Sequence, residues 1–519
     1  METTNLASEE ITAEPQRIPS NTEGAAMILF GRSVAFAIAV ALPILLAHKL
    51  TVGALGLYKQ VFLVVNTALN IVPMGFGMNV YYFLPRERER RGAVVLNTIL
   101  LLFAAGLLAG LLVTLWPGVL FLVSKEPEIQ RYSPLIGATI LFWIPCALVE
   151  ILPVANRELK LAMTVSIGAQ ILRTGLFLAA AIFWGTVSSL IWAAILYGAL
   201  AVGVFFYYLT VRFPGFWRNV DFKLFGEQLS YAAPLGLMGI VGYFQYDLHN
   251  YFVSNQFGAA AFAVYSIGCF QLPVLQLLTE ATSSVLISQM AVLQRENQTD
   301  QMLFLSLRST RKLAAVMFPV YAFLMVTGLQ FIEFLFSNRY QDSWPIFRIN
   351  LTLLPLGVLL LDPIARAYAE YRYLLLRLRV AIFVILLAAL WWATPRFGMI
   401  GAISSVVVLG VTDRAIQIWV FGRALHFGRR HLPLLADTAK LALSAAAAAA
   451  LTLGVRLLMA GSRPILILLS CAAVFTPAYV VVVKLFGVVE PNEMQFLLRA
   501  LLSPIQGIGR RLGIQGGQE

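Results

Sequence analysis

Long apolar runs separated by short polar stretches recur along the whole chain. Counting runs of about 20 residues, the length that a helix needs to cross about 30 Å of hydrocarbon, predicts about fourteen membrane spans. Runs this long are too long for membrane strands, and a helix satisfies its own backbone in lipid, so the spans are predicted to be helical. The predicted spans cover residues 27–48, 60–84, 93–115, 133–153, 162–184, 188–211, 229–253, 259–287, 312–335, 346–366, 376–395, 399–422, 438–458 and 464–486.

The composition indicates a membrane protein rather than a water-soluble one. Of 519 residues, 59% are hydrophobic and 12% are charged, and the mean hydropathy is +0.80. A soluble core of this length could not hide that much apolar surface. The three cysteines, Cys146, Cys269 and Cys471, lie in separate spans without paired or metal-like spacing, so neither a disulfide framework nor a zinc site is predicted.

Basic residues are shared unevenly between the loops. The loops after even-numbered spans hold twenty Arg and Lys residues, and the other loops hold eight. By the positive-inside rule, the even loops and both termini are predicted to be cytoplasmic. The first 26 residues carry five Glu against a single Arg17, which favours a flexible tail over a signal peptide. The net charge of +12 therefore follows mostly from topology and does not indicate nucleic acid.

Two stretches of the chain repeat at nearly the same offset. The segment Gly53-Ala-Leu-Gly-Leu-Tyr58 is matched 207 positions later by Ala260-Ala-Phe-Ala-Val-Tyr265. A pair of prolines eight positions apart also recurs 210 positions later, as Pro145 and Pro153 and then Pro355 and Pro363. A repeat of roughly 210 residues is too long for a solenoid and predicts two homologous halves.

The repeat and the span count together predict an all-α polytopic architecture with two six-helix lobes. Six spans per half is an even number, so both halves enter the membrane from the same side, as in alternating-access transporters built from parallel repeats. The predicted organisation is a cytoplasmic tail (1–26), an N-terminal lobe (27–211), a linker (212–228), a C-terminal lobe (229–422), an accessory hairpin (438–486) and a second tail (487–519).

Signatures of enzymes and ATP-driven pumps are missing from the sequence. The longest predicted external loop, about 116–133, leaves no room for acceptor chemistry, and no G-x-x-x-x-G-K-[ST] motif occurs. An enzyme is therefore not predicted, and an ATP-driven pump would need a separate subunit.

Three stretches resemble the polysaccharide-synthesis flippases, the Wzx-type O-antigen and exopolysaccharide transporters of the multidrug/oligosaccharidyl-lipid/polysaccharide (MOP) exporter superfamily. They are "GALGLYKQVF" from Gly53, the stretch from "YAAPLGLMG" to "IGCFQLPVL", and "FLFSNRYQDSWPIFRINLTLLPLG". The resemblance covers residues 27 to 487. It departs from the family at Ala263, where a glycine is expected before the tyrosine of the second half.

The resemblance implies a non-enzymatic carrier that moves an undecaprenyl-diphosphate-linked oligosaccharide to the outer leaflet of a bacterial inner membrane, for O-antigen, capsule or exopolysaccharide synthesis. Expected partners are this lipid-linked substrate, membrane lipids, a polysaccharide polymerase and glycosyltransferases, with no cofactor beyond a coupling H⁺ or Na⁺. Three alternatives stay open: an ion-coupled drug or metabolite antiporter, a peptidoglycan-precursor flippase and, less favoured, a non-transporting scaffold.

Charged and amide residues inside the spans are the candidates for a substrate cavity, because such residues rarely face lipid. Arg173 in the fifth span and Arg32 in the first are predicted to grip a diphosphate, and Asn66 and Asn70 share one face of the second span. The alternatives are that Arg32 reaches the interface, that Arg173 pairs with Glu150, and that the asparagines only hold helices together.

Three residues of the second half are candidates for ion coupling. Asp247 and His249 lie in the seventh span, and Glu280 lies well inside the eighth. A carboxylate beside a titratable histidine could carry protons, and carboxylate with amide oxygens could hold Na⁺. The competing interpretation is a polar cluster that only locks the two helices together.

Overall fold

The computed structural model describes residues 21–218, 220–428 and 431–488, and every regular element within these ranges is helical. The predicted tails, 1–26 and 487–519, lie almost wholly outside the described residues. The α-helices are α1 Asn21–Lys49, α2 Val52–Ile71, α3 Val80–Arg86, α4 Arg91–Leu115, α5 Pro127–Arg131, α6 Ser133–Cys146, α7 Leu148–Ala155, α8 Leu159–Phe183, α9 Val187–Arg212, α10 Phe222–Gly268, α11 Pro273–Arg295, α12 Thr299–Phe336, α13 Trp344–Leu351, α14 Asp362–Ala367, α15 Arg372–Ala424, α16 Pro433–Leu458 and α17 Pro464–Leu485.

By length and composition, nine helices of the described chain could cross a membrane, or ten if α10 and α11, bent by 54°, form one span. The all-helical polytopic class is confirmed, with fewer candidate spans than the fourteen expected. The difference has structural causes. Helix α15 contains two expected spans, and α10 contains the expected seventh span and the start of the eighth, which continues into α11. The expected tenth span is broken into α13 and α14, and the apolar part of α1 among the described side chains, Ala37–Lys49, is shorter than a full span.

The two longest helices are each broken at one glycine. Helix α10 has 47 residues and α15 has 53, so a straight helix would be about 70 or 80 Å long, more than twice the hydrocarbon thickness. Gly258 has φ 78° and ψ −179°, and Gly398 has φ 62° and ψ −150°. These angles lie in a region that is essentially open to glycine alone. Each glycine therefore marks the boundary between two separate helices.

Helix α2 begins earlier and ends earlier than the sequence predicts. It starts at Val52, where the Thr51 side chain accepts a hydrogen bond from the Ala54 N–H at 3.2 Å and caps the helix. It ends at Ile71, and the chain then turns into a short 3₁₀ helix, Phe76–Asn79. The expected span 60–84 is therefore wrong at both boundaries, and the repeated segment from Gly53 to Tyr58 is helical rather than a loop.

The repeated prolines lie beside helix breaks in both halves of the chain. In the first half, α6 ends just after Pro145 and α7 contains Pro153. In the second half, a 3₁₀ turn, Leu354–Val358, contains Pro355, and Pro363 is in the first turn of α14. Interrupted helices at corresponding positions of two repeats often border a transporter's binding site.

Helix α2 is central in the packing, because it contacts both halves of the chain. Within the first half, Phe62 of α2 packs against Trp143 and Phe177, with ring centroids 5.7 and 5.6 Å apart. Along its other side, α2 lies against α10 of the second half. Helices α16 and α17 pack on each other and on α12. The buried surface between α2 and α10 is therefore the main contact between α1–α9 and α10–α15.

Candidate functional site

The larger of two neighbouring cavities lies within the first half and has a volume of about 850 Å³. Its walls come from α2, the 3₁₀ segment after it, α6, α7 and α8. Most of the lining is apolar or aromatic, and the polar side chains include Asn66, Asn70, Glu150 and Arg173. Both asparagines are exposed towards this space, and Asn70 donates to the Asn66 carbonyl at 2.8 Å. Three of the four predicted head-group residues therefore line one cavity.

Arg173 is half-buried on α8, in the middle of a long helix. Its guanidinium carbon lies 5.8 Å from the centre of the Trp143 ring, within the range of a cation–π contact. No ion pair joins Arg173 to Glu150 or to another carboxylate among the described side chains. The alternative in which Glu150 neutralises Arg173 is therefore absent from this conformation, and the cation is available to the cavity.

The smaller cavity, which we call the central pocket, lies between the two halves and has a volume of about 410 Å³. Lys59 of α2 and Asp247 and Asn250 of α10 contribute to its lining. Asn66 and Arg173 line both cavities. The two cavities are therefore neighbours, with Arg173 at their shared boundary.

Lys59 is the residue of this site that the sequence analysis missed. It follows the repeated segment, and the hydropathy pattern assigns it to a loop, because the second span is predicted to begin at residue 60. In the structure it lies two turns inside α2, half-buried, and forms no ion pair with any described side chain. The detectable signal was the Thr51 helix cap, which moves the start of the helix ahead of Lys59.

The three ion-coupling candidates are not brought together. Asp247 lines the central pocket and accepts a hydrogen bond from Asn250 Nδ2 at 2.6 Å. His249 is 7% exposed and is hydrogen-bonded through Nδ1 to the Tyr265 hydroxyl at 2.7 Å. Glu280 lies on α11, outside both cavities, and accepts a hydrogen bond from Gln276. Asp247 is therefore the one that faces the substrate candidates.

Arg32 belongs to α1, but its side chain lies outside the described residues, so its predicted place in the cavity stays a prediction. Within the described part of the chain, no group of three or more His, Cys, Asp or Glu residues could hold a metal ion.

One end of the central pocket is covered by contacts between the halves, at the side of the loops 116–132 and 337–343, which we call the opposite end. Gly56 of α2 lies against the backbone of Ala259, so closely that a Cβ at Gly56 would be 1.7 Å from the Ala259 oxygen. The Glu126 carboxylate accepts a hydrogen bond from the Ala259 N–H at 2.8 Å. Arg339 donates to the carbonyls of Leu50, Ala47 and His48 at 2.9–3.1 Å.

The halves also touch on the other side of the central pocket, towards the arginine-rich loops 86–91 and 212–223, which we call the basic end. There a Cβ at Gly236 would lie 2.1 Å from the Met74 oxygen. Asp221 caps α10 by accepting from the Leu224 N–H at 2.9 Å, and Arg90 donates to it at 3.1 Å. The Leu224 N–H and the Arg90 guanidinium lower the pKa of the Asp221 carboxyl, because both stabilise its charged form.

A family model described as "Polysaccharide biosynthesis protein" matches residues 45–345, more than half of the chain. The chain belongs to this family. No curated protein matches it in sequence. The matched segment contains Lys59, Arg173 and Asp247 and nearly all the lining of both cavities.

Solved transporters share the fold of this polysaccharide biosynthesis protein. The structure described as "Lipid II flippase MurJ, inward closed conformation" superposes with a TM-score of 0.62 at 10% identity, over 90% of this chain and 99% of that one. An inward-facing multidrug resistance MATE family transporter of the MOP superfamily gives 0.57 at 15% identity, over 77% and 96%. The Vibrio cholerae MATE transporter VcmN, in its bent form, gives 0.52 at 14%, over 78% and 96%. This polysaccharide biosynthesis protein therefore has the fold that the MurJ flippase and the MATE transporters share.

Proposed function

We propose that this protein is a flippase that carries undecaprenyl-diphosphate-linked oligosaccharide repeat units across the bacterial inner membrane, for O-antigen, capsule or exopolysaccharide synthesis. The observation that carries the proposal is a pair of cations that form no ion pair with any described side chain: Arg173 lines both the cavity of about 850 Å³ and the central pocket, and Lys59 lines the central pocket. A diphosphate is a dianion or trianion, and two intramembrane cations with no carboxylate partner among the described side chains are suited to receive it. The polyprenyl chain can stay in lipid, where it is already stable.

The lining of the larger cavity suits a sugar as well as a diphosphate. Tyr81, Trp143 and Tyr197 offer ring faces, and Asn66 and Asn70 offer amide groups that can hydrogen-bond to hydroxyls. A drug antiporter for apolar cations would be poorly served by two positive charges beside its cavity. The flippase proposal is therefore favoured over the antiporter.

The proposed transport cycle is alternating access by two lobes, α1–α9 and α10–α15, with α16 and α17 as an accessory hairpin. Counting the two helices on either side of Gly258 and of Gly398 separately, together with α1 and the broken segment 344–367, gives fourteen crossings. The arginine-rich loops favour a cytoplasmic basic end and cytoplasmic termini. Coupling to H⁺ or Na⁺ is part of the proposal, with Asp247, His249 and Glu280 as its candidates, and a polymerase and glycosyltransferases are the proposed neighbours in the pathway.

The test is a deletion strain complemented with wild type, Arg173→Ala or Arg131→Ala. Arg131 is the matched control, because it is an exposed arginine on α5 that lines neither cavity. Surface polysaccharide and undecaprenyl-linked repeat units are measured by mass spectrometry. We expect repeat units to accumulate and surface polymer to disappear in the deletion and in Arg173→Ala, while Arg131→Ala restores wild-type amounts.

Two results would count against the proposal. Unchanged polymer and lipid-linked pools in the deletion, with no second flippase present, would favour the antiporter. Loss of viability with intact surface polymer would favour a peptidoglycan-precursor flippase; the superposed MurJ structure is named as a lipid II flippase.

A further inference from the structure

The central pocket holds three charges that have no ion-pair partner among the described side chains. Lys59 and Arg173 are positive, and Asp247 is negative. All three line the same space of about 410 Å³, inside the membrane-spanning region. A charge in this environment is costly unless another charge or a ligand offsets it, so the three must depend on one another or on what enters the pocket.

The two signs come from different halves of the chain. Lys59 is on α2 and Arg173 is on α8, both in the first half, whereas Asp247 is on α10 in the second half. Asn250, one turn after Asp247, donates to its carboxylate at 2.6 Å and holds it at the pocket wall. Movement of the halves relative to each other therefore changes the distance between the carboxylate and the cations.

We propose that the central pocket binds the diphosphate of the lipid-linked substrate through Lys59 and Arg173, and that Asp247 is the counter-ion that replaces this diphosphate in the empty transporter. This inference rests on the proposed function. A diphosphate supplies more acceptor oxygens and more negative charge than one carboxylate, so the cations bind it in preference to Asp247. After release, Asp247 again compensates part of the positive charge.

The counter-ion helps the empty transporter return to the conformation that receives the next substrate. Without Asp247, two intramembrane cations would change their exposure with no protein counter-charge, whereas with Asp247 the pocket has one net positive charge. The carboxylate thus weakens substrate binding and speeds release and return. A residue with a purely structural role would not tighten binding when it is removed.

The test measures binding of radiolabelled farnesyl diphosphate, a short polyprenyl diphosphate without sugar, to the purified full-length protein in nanodiscs of neutral lipid. Asp247→Asn should bind about tenfold more tightly than wild type, since close charge pairs in desolvated sites commonly contribute at least a factor of ten. Lys59→Gln and Arg173→Gln should each bind at least tenfold more weakly. Arg131→Gln, on an exposed surface, is the control and should bind like wild type.

A double variant protects the test against misfolding of Asp247→Asn. Lys59→Gln combined with Asp247→Asn keeps the net charge of the wild-type pocket, and we expect its affinity to lie within threefold of wild type. Competition with phosphatidylglycerol distinguishes a site for polyprenyl diphosphates from a site for any phospholipid head group. If that lipid competes as well as farnesyl diphosphate, the pocket is a general phosphate-lipid site and the diphosphate assignment is wrong.

Weaker or unchanged binding by Asp247→Asn overturns the counter-ion role, and weaker binding would be the result expected of a coupling-ion site at Asp247. The complementation assay separates this inference from the proposed function. Loss of polymer in the deletion strain, with unaltered farnesyl diphosphate binding in all variants, would refute the roles of Lys59, Arg173 and Asp247 and leave the flippase proposal standing. The expected binding pattern with normal polymer in the deletion strain would leave a diphosphate-lipid site and refute the polysaccharide role.

Discussion

The contact between Gly56 and Ala259 allows a quantitative test of how the opposite end opens. In Gly56→Ala the new Cβ would lie 1.7 Å from the Ala259 oxygen, and real Cβ atoms essentially never approach another heavy atom within 3.0 Å. Helices α2 and α10 must therefore separate by at least 1.3 Å at this point. Overpacking of this kind costs about 1–3 kcal/mol.

The cost acts on the equilibrium between closed and open forms rather than on the helix itself. Alanine favours the helix over glycine by about 1 kcal/mol, but α2 is helical in both forms, so that gain cancels. The whole overpacking penalty remains and raises the open population about 5- to 150-fold. Gly53→Ala is the matched control, because a Cβ at Gly53, one turn earlier on α2, meets no atom within 4 Å.

Maleimide labelling of a cysteine at position 254 measures this population. Ser254 is 0% exposed on α10 beside α2, and its hydroxyl has no hydrogen-bond partner among the described residues, so Ser254→Cys is a mild change. The assay uses purified protein in which the native cysteines are replaced by alanine. We expect Gly56→Ala to label about tenfold faster and Gly53→Ala to label at the parental rate. Equal rates in both variants, with both folded, would refute the reasoning.

Two further predictions concern the basic end. Gly236→Ala would crowd the Met74 backbone and favour opening of the basic end. If the two ends open alternately, the opposite end is then closed more of the time, so the cysteine of Ser254→Cys should react with maleimide more slowly. Faster labelling would argue against alternation. The second concerns pH. The pKa of Asp221 is lowered in the folded protein, first by the Leu224 N–H and then by Arg90, so its stabilising effect is present above the ordinary pKa of about 3.9 and is lost as the pH falls through the folded value. Asp221→Asn keeps a helix cap but has no charge to lose. Its thermal unfolding temperature should therefore fall less than that of wild type between about pH 5 and pH 3. If the unfolding temperatures of the two proteins fall in parallel, Asp221 contributes nothing to this pH dependence.

The sequence predicted the cavity residues whose signal is local. Arg173 is a charge in the middle of an apolar run, and it has to face either a cavity or a partner. Asn66 and Asn70 share a helical face, because they are four residues apart. The structure brings these three residues to one cavity. The sequence could predict such a cavity, because charged and amide side chains inside a span rarely face lipid.

The sequence could not predict the features that depend on the second half of the chain. Lys59 resembled a loop residue because the small residues before it give a weak hydropathy signal, and its pocket exists only where α10 meets α2. The separation of His249 from Asp247 follows from helix geometry, because residues two apart on a helix do not face each other. The partner of the imidazole, the Tyr265 hydroxyl, lies sixteen residues away and could not be predicted from that spacing. Gly56 was visible as a repeat residue, but its backbone contact with Ala259 was not.

The hairpin of α16 and α17 has a consequence for which part of the molecule moves. The hairpin packs on α12, with Phe475 against Phe323 at 5.4 Å and the Tyr479 hydroxyl donating to the Ala315 carbonyl at 3.1 Å. It therefore widens the lipid-facing perimeter of the second half alone. In the proposed alternating-access cycle, the wider half would meet more resistance in a viscous bilayer, so we expect the first half, with Lys59 and Arg173, to make the larger displacement. The proposed cargo would then travel with the narrower of the two halves.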